Sequence, residues 1–181
     1  VDQLFKDVTG RITGDVERGD VDWSNELTAH VLELKTAKPT ADIPGFRAKF
    51  AAEVRAINAL LAKRGLMLLP TAAHPLFDPF TETVLWPHDH HEVYELYNRI
   101  FDCRGHGWSN LQSVHLNLPF ANDEEFGKLH TAIRLLLPII PALSASSPLL
   151  DGKPTGFLDA RMEAYLHHQE RLPQLMGSLI P

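Results

Sequence analysis

Val31-Leu32-Glu33-Leu34-Lys35-Thr36 places Leu32 and Leu34 on one side of the chain and Val31, Glu33 and Lys35 on the other. A side-chain period of two marks a β-strand, and the reading predicts a strand over about Ala29–Thr36. Leu111–Leu118 repeats the pattern, with Val114, Leu116 and Leu118 on one face and Ser113, His115 and Asn117 on the other. Between these stretches the period changes. Phe46, Phe50, Val54, Ile57 and Leu61 fall on one face of a helix predicted over about Ile43–Arg64, with Asp42 as N-cap, Pro44 in the first turn and Gly65 as the stop. Leu66–Leu69 is short and wholly apolar, which predicts a buried strand.

A second long helix is predicted over about His88–Phe101, with Val93, Tyr97, Ile100 and Phe101 inward. A third starts at Asn122, where Glu125 completes a capping box, and carries Phe126, Leu129, Ile133 and Leu137 on its apolar stripe. Pro138 and Pro141 kink or break the helix beyond that stripe. Thr155 caps a fourth helix through about His168. Residues 1–24 read as loop with weak strand character. Strands and helices mix without steady βαβ alternation, so the fold class is α+β: a mainly antiparallel sheet with helices packed on one face.

The chain has 181 residues, 44% hydrophobic and 22% charged, which excludes disordered and low-complexity classes and fits one domain, 1–181. Asp and Glu number 23 against 17 Lys and Arg, a formal charge of -6. Such a surface repels phosphate backbones, so no nucleic-acid partner is expected. The apolar run Leu135–Leu143 is interrupted by Pro138 and Pro141 and is too short for a bilayer, so no membrane partner is expected either. The single cysteine, Cys103, allows no disulfide within the chain and no CxxC metal knuckle, and suits a reducing cytoplasm. Homo-oligomerisation is left open. The chain opens at Val1 and closes at Ile180-Pro181, which is read as an internal part of a longer polypeptide.

Phosphate loops of the GxxxxGK[ST] type, GxGxxG turns, the GxSxG elbow and the HExxH helix are all missing. What the strands do offer is Glu33 on one and His115 on the other. Each pattern alone fits a solvent-facing residue equally well. Together, a carboxylate and an imidazole on neighbouring strands make a reasonable divalent site, with oxygen donors suiting Mg2+ and the imidazole admitting Mn2+. His88-Asp89-His90-His91-Glu92 is read first as a polar helix start and only second as a metal cluster. His74-Pro75 reads as a turn or a binding loop, and a Cys103–His106 thiol pair has no supporting context.

Several of these stretches resemble one family. Asn25-Glu26-Leu27 followed by Val31–Thr36, the loop Thr71-Ala72-Ala73-His74-Pro75, the stretch Ser113–Pro119, and Leu143-Ser144-Ala145-Ser146-Ser147-Pro148 with Gly152, Gly156 and Arg161 are similar, in order, to motifs of the glutamate–cysteine ligases in their broad carboxylate–amine ligase branch. The resemblance spans about residues 25–166. It implies a glutamine-synthetase-like curved antiparallel sheet, of which this chain is an internal part, and an ATP-dependent ligase that forms an amide through an acyl phosphate. ATP and Mg2+ (or Mn2+) are the implied cofactors, and glutamate with an amine such as cysteine the implied substrates. By the same resemblance Glu26, Glu33 and His115 are metal ligands, and Arg161 is the catalytic and nucleotide-phosphate arginine. His74 and Asn117 belong to the substrate pocket. The chain departs from the family where a first histidine of the His-x-His strand is Ser113, and where the family's opening acidic strand is not found. Two other functions stay in view: a non-catalytic or regulatory binding domain on the same scaffold, and a metal-dependent hydrolase built on His74, His88–His91 and His115.

Overall fold

The computed structural model describes residues Val1–Met176. In chain order these form α1 (Asp2–Thr9), β1 (Asp15–Val16), β2 (Val21–Asn25), β3 (Leu32–Thr36), α2 (Ile43–Ala62), α3 (Pro79–Glu82), α4 (His91–Phe101), α5 (His106–Ser109), α6 (Asp123–Leu136), α7 (Ile140–Ser144), β4 (Leu149–Leu150), β5 (Lys153–Pro154) and α8 (Ala160–Leu166), then a short 3-10 turn. Helices and small antiparallel sheets make this an α+β chain. It divides into two compact units: Val1–Pro70 with Phe80–Arg104, and Thr71–Pro79 with the residues from Gly105 on. Among the described residues, no helix is long and apolar enough to cross a membrane.

The first unit is organised by a three-stranded sheet in the order β1-β2-β3. Trp23 pairs with Leu34 and Ser24 with Glu33, so the pleat sends Trp23 and Leu34 to one face and Ser24 and Glu33 to the other. The Trp23 face meets Leu4 and Phe5 of α1, Ile57 of α2 and Trp86, and these with Val16 form the apolar core. The amphipathic run Leu4-Phe5-Val8 thus gives residues 2–9 a helix where only loop was expected. A helix in this position needs one buried stripe and little else. On α2 the Asp42 side chain accepts from Gly45 N–H, as predicted. The indole of Trp23 donates to Glu53 of α2 at 2.9 Å, so the buried ring keeps its polar atom satisfied.

Two predicted features of this unit differ. Leu66–Leu69 forms no strand: Leu66 and Met67 are exposed, and the stretch is tied down by Leu68 N–H donating to Asn58 Oδ1. Its apolar run had no alternation to set a face, and no strand among the described residues takes up its backbone. On α4, Val93, Tyr97 and Ile100 lie on an exposed rather than an inward face.

The second unit holds its segments together through hydrogen bonds more than through large apolar side chains. Its helices α5 and α8 approach closely at Gly107, where a Cβ would fall 2.4 Å from His168 Cβ and 2.7 Å from the Ala164 carbonyl oxygen. Only glycine fits that crossing. The predicted cap of α6 is present, with Asn122 Oδ1 accepting from Glu125 N–H and Glu125 reaching back to Ala121 N–H. The fourth predicted helix is shorter than expected, and Asp159 stands at its N-cap in place of Thr155.

Candidate functional site

The second unit lays four separated segments side by side. Gln112 N–H donates to the Ala72 carbonyl (2.8 Å), Ala72 N–H donates to the Ser146 carbonyl (3.4 Å), and Ser147 pairs with Asp159 in a parallel bridge. These are the segments singled out in the sequence: the His74 loop, the Ser113–Leu118 stretch, the Ser146-Ser147 turn and the approach to Arg161. Far apart in sequence, they become neighbours through backbone bonds that no side-chain pattern announces.

Arg161 ties three of them together. Its backbone N–H donates to Ser147 Oγ (3.1 Å) and its Nη1 to Ser113 Oγ (3.0 Å). Ser147 Oγ in turn donates to Asp159 Oδ1 (2.9 Å), and Arg161 Nε lies 3.5 Å from that same oxygen. Asp159 Oδ2 and Arg161 Nε are buried and have no hydrogen-bond partner among the described residues. Asp159 was missed in the sequence because the fourth helix, predicted from Thr155 to about His168, took it in as an ordinary helical residue. Here it makes no capping bond and turns toward Ser147 and the guanidinium instead. Ser113, the position where the resemblance calls for a histidine, is the hydroxyl that orients Arg161.

His115 and Asn117 follow Ser113 on a stretch that differs from the prediction. Leu111–Leu118 forms no strand, and Val114 is 98% exposed. Alternation assigns faces, but a strand also needs a neighbour to accept its ladder of hydrogen bonds. Among the described residues, the backbone bond that joins this stretch to another segment is the one from Gln112 to Ala72. Asn117 lines a shallow groove of about 320 Å³ with Leu118, Phe120, Phe126 and His130. His74 stands in the loop beside Gln112, half-buried, with its backbone held by Asn110.

Glu26 and Glu33 belong to the first unit. Glu33 is half-buried opposite Ser24, whose hydroxyl donates to Oε2 at 2.8 Å. On the same sheet Lys35 is held above its usual range. Burial works to lower it, but the hydrogen bond and charge of Asp15 and the charges of Glu33 and Asp22 outweigh that. Glu26 follows directly on β2, with Oε2 accepting from Leu27 N–H. Its charge contributes to raising the phenol of Tyr94, which burial raises first and the bond from Asn25 opposes. The face is acidic, and its carboxylates are oxygen donors of the kind that suit Mg2+.

Among the described residues, no three His, Cys, Asp or Glu side chains gather into a group able to hold a metal. The histidine-rich run has other partners. His88 Nε2 pairs with Asp2 (3.1 Å) and its ring meets Trp86 edge-on, while His91 Nδ1 meets the His88 carbonyl. The hydrolase reading, which needs three converging imidazoles, therefore has no site among these residues. His106 is engaged by Asn110 and Asp151, which leaves the Cys103 thiol pairing unsupported.

Residues 3–179 match the model of glutamate-cysteine ligase family 2. The chain belongs to that family. A protein of Archaeoglobus fulgidus whose name states no function is 33% identical over 180 residues, covering 99% of this chain and 48% of that protein. Two bacterial proteins, each named "Putative glutamate--cysteine ligase 2", are similar as well. The one from Cronobacter sakazakii is 27% identical over 83% of this chain and 38% of its own length. The one from Herpetosiphon aurantiacus is 30% identical over 59% of this chain and 26% of its own. The chain thus spans about half the length of the archaeal relative, and less of the bacterial ones. For the glutamate–cysteine ligase family 2, this accounts for the ordered run of weak motifs: most of the stretches that carried the resemblance are those that the second unit brings side by side.

Proposed function

We propose that this chain carries part of the machinery of an ATP-dependent carboxylate–amine ligase, of the glutamate–cysteine type. The observation that supports it most is the Arg161 network. A guanidinium held by Ser113, on a backbone held by Ser147, in the layer that also holds the His74 loop, is the group expected where negative charge develops on oxygen. When bound, Mg-ATP supplies a γ-phosphoryl group that turns a carboxylate into an acyl phosphate, from which an attacking amine displaces phosphate to leave an amide.

Such chemistry asks little covalent work of the protein and much positioning and charge stabilisation. Arg161 is assigned to charge developing on the phosphoryl or acyl oxygens, a role worth ~3–4 kcal/mol for a well-aimed donor. Glu26 and Glu33 of the first unit and His115 of the second are assigned as ligands to Mg2+ or Mn2+. Their carboxylate and imidazole donors fit those ions, and each is judged by its own substitution. His74 and Asn117 are assigned to the amino-acid substrates.

The test is ADP release by the complete gene product with Mg-ATP and a panel of amino-acid pairs. Glu33→Gln is expected to abolish turnover, at least about a hundredfold down, with the circular dichroism spectrum unchanged. Wild-type ADP release by that variant would remove Glu33 from the site. A second reading, a binding domain without turnover, is favoured by Ser113 standing where the resemblance places an imidazole and by the lack of a three-ligand group among the described residues. Thermal stabilisation by Mg-ATP with no ADP formed would select it.

A further inference from the structure

The His74 loop is held to an unusual degree for a surface turn. Asn110, fully buried, clamps His74 from both sides: Oδ1 accepts from His74 N–H (2.7 Å) and Nδ2 donates to the His74 carbonyl (3.0 Å). This pair fixes the amide orientation, because the reversed amide would set donor against donor and acceptor against acceptor. The remaining Nδ2 hydrogen then points at His106 Nδ1, 3.0 Å away, which must accept it. His106 is therefore the tautomer with its proton on Nε2, and that nitrogen lies 3.1 Å from Asp151 Oδ1.

Asp151 is set in place by its turn. Asp151 and Gly152 are the two loop residues of the β4–β5 hairpin, with φ of 50° and 70°. Left-handed backbone at both positions defines the type I′ hairpin that Asp-Gly favours. The same hairpin tip reaches the loop a second time, through Gly152 N–H donating to the Pro75 carbonyl at 2.8 Å. Finally, Leu76 N–H donates to His74 Nδ1 (3.2 Å), so a neutral His74 carries its proton on Nε2 and presents it as a donor.

We infer that Asn110 is a positioning residue for His74, braced by His106 and the Asp151 hairpin tip, and that it sets the His74 Nε2–H to receive a carboxylate oxygen of the amino-acid substrate. This rests on the proposed assignment of His74 to the substrate pocket. It adds residues to which the sequence reading gave no such role: a histidine and an asparagine at a spacing of four, and an Asp-Gly turn whose aspartate lies 45 residues after that histidine.

Nitrogen-15 NMR of the histidine rings in the complete gene product reads the brace without any assay of turnover. His106, assigned by loss of its signals in His106→Gln, is expected as the Nε2–H tautomer. Titration with L-glutamate is expected to move the His74 ring signals, and titration with inorganic phosphate is not. Asn110→Asp keeps an acceptor for His74 N–H but removes both donors. It is expected to move a proton onto His106 Nδ1 and to weaken the glutamate response by about tenfold, the scale of one hydrogen bond to a charged group.

If Asn110→Asp does not fold, Asp151→Gly serves in its place. Glycine accepts the positive φ, the hairpin is kept, and the loss of the acceptor is expected to shift the His106 Nε2 signal while Asn110 keeps the Nε2–H tautomer, with a weakened glutamate response. A His106 Nδ1–H tautomer in the wild type, an unchanged glutamate response in the variants, or a response to phosphate alone would each overturn the proposal. A glutamate response that depends on Asn110 in a protein that releases no ADP would overturn the ligase reading and leave the positioning role standing.

Discussion

The two units of this chain are held by different forces. The first buries Trp23, Trp86, Phe5 and Ile57, all essentially without solvent exposure. The second buries Asn110, Ser109, Ser147, Ala72, Ala73 and Ala160, residues that are small or polar. Apolar burial is strong and non-directional. It fixes a sheet against helices and tolerates small displacements. Hydrogen bonds contribute less each, but they specify distances and angles. A unit built on them is suited to holding Arg161 and His74 in set directions, and it gives up stability to do so.

The largest expected effect lies in the first unit. Trp23→Ala removes a fully buried indole from the centre of the core and strips Glu53 of a donor. The loss is expected at ~3–5 kcal/mol, by the scale of large-to-small core substitutions, read as a fall in the urea midpoint by circular dichroism. A loss below about 1 kcal/mol would mean that the core is not what holds this unit.

An intermediate effect is expected in the second unit. Ser147→Ala removes the hydroxyl that donates to Asp159 and accepts from Arg161 N–H. Both groups are left in a buried position, at a cost of ~1–3 kcal/mol. Loss of the same network is expected to lower turnover as well. If Ser147→Ala lowered stability and left activity alone, the network would be structural only.

The same difference explains what the sequence disclosed. Period-two alternation found β3, and period-3.6 spacing with Asp42 and Asn122 as caps found α2 and α6, because apolar burial writes itself into spacing. The family was legible too, from short motifs in order, and with it came the expectation that Arg161 and His74 belong to its site. Asp159, Asn110 and the Asp151 turn were not legible. Their roles depend on which distant backbone groups they meet, and a polar residue in a loop has the same appearance whether solvated or enclosed. Ser113–Leu118 failed in the opposite sense: its alternation was real, but a strand is a property of a pair, and the pattern of one member does not supply the other.

The smallest effect concerns a polar junction within the first unit. Asp89 accepts from the Trp86 indole at Oδ1 (3.0 Å) and from Gly14 N–H at Oδ2 (3.0 Å). Burial pushes its carboxyl upward, but these two bonds, its own backbone N–H and the charge of His90 outweigh that and hold it below the usual value of 3.8. A carboxylate whose folded pKa is depressed adds stability that is complete above the unfolded value and disappears as pH falls through the folded one. The contribution of Asp89 should therefore be flat from about pH 7 down to about pH 5 and be lost as a small increment below about pH 4. Because Asp89 is exposed to solvent, screening limits that increment to ~1 kcal/mol or less. Urea midpoints measured across this range should show the acid loss in the wild type and a smaller one in Asp89→Asn, which keeps an acceptor for Trp86 or Gly14 but has no charge to titrate. An equal acid loss in both proteins would place the titrating group elsewhere, and would show that the apolar unit owes its acid sensitivity to charges outside this junction.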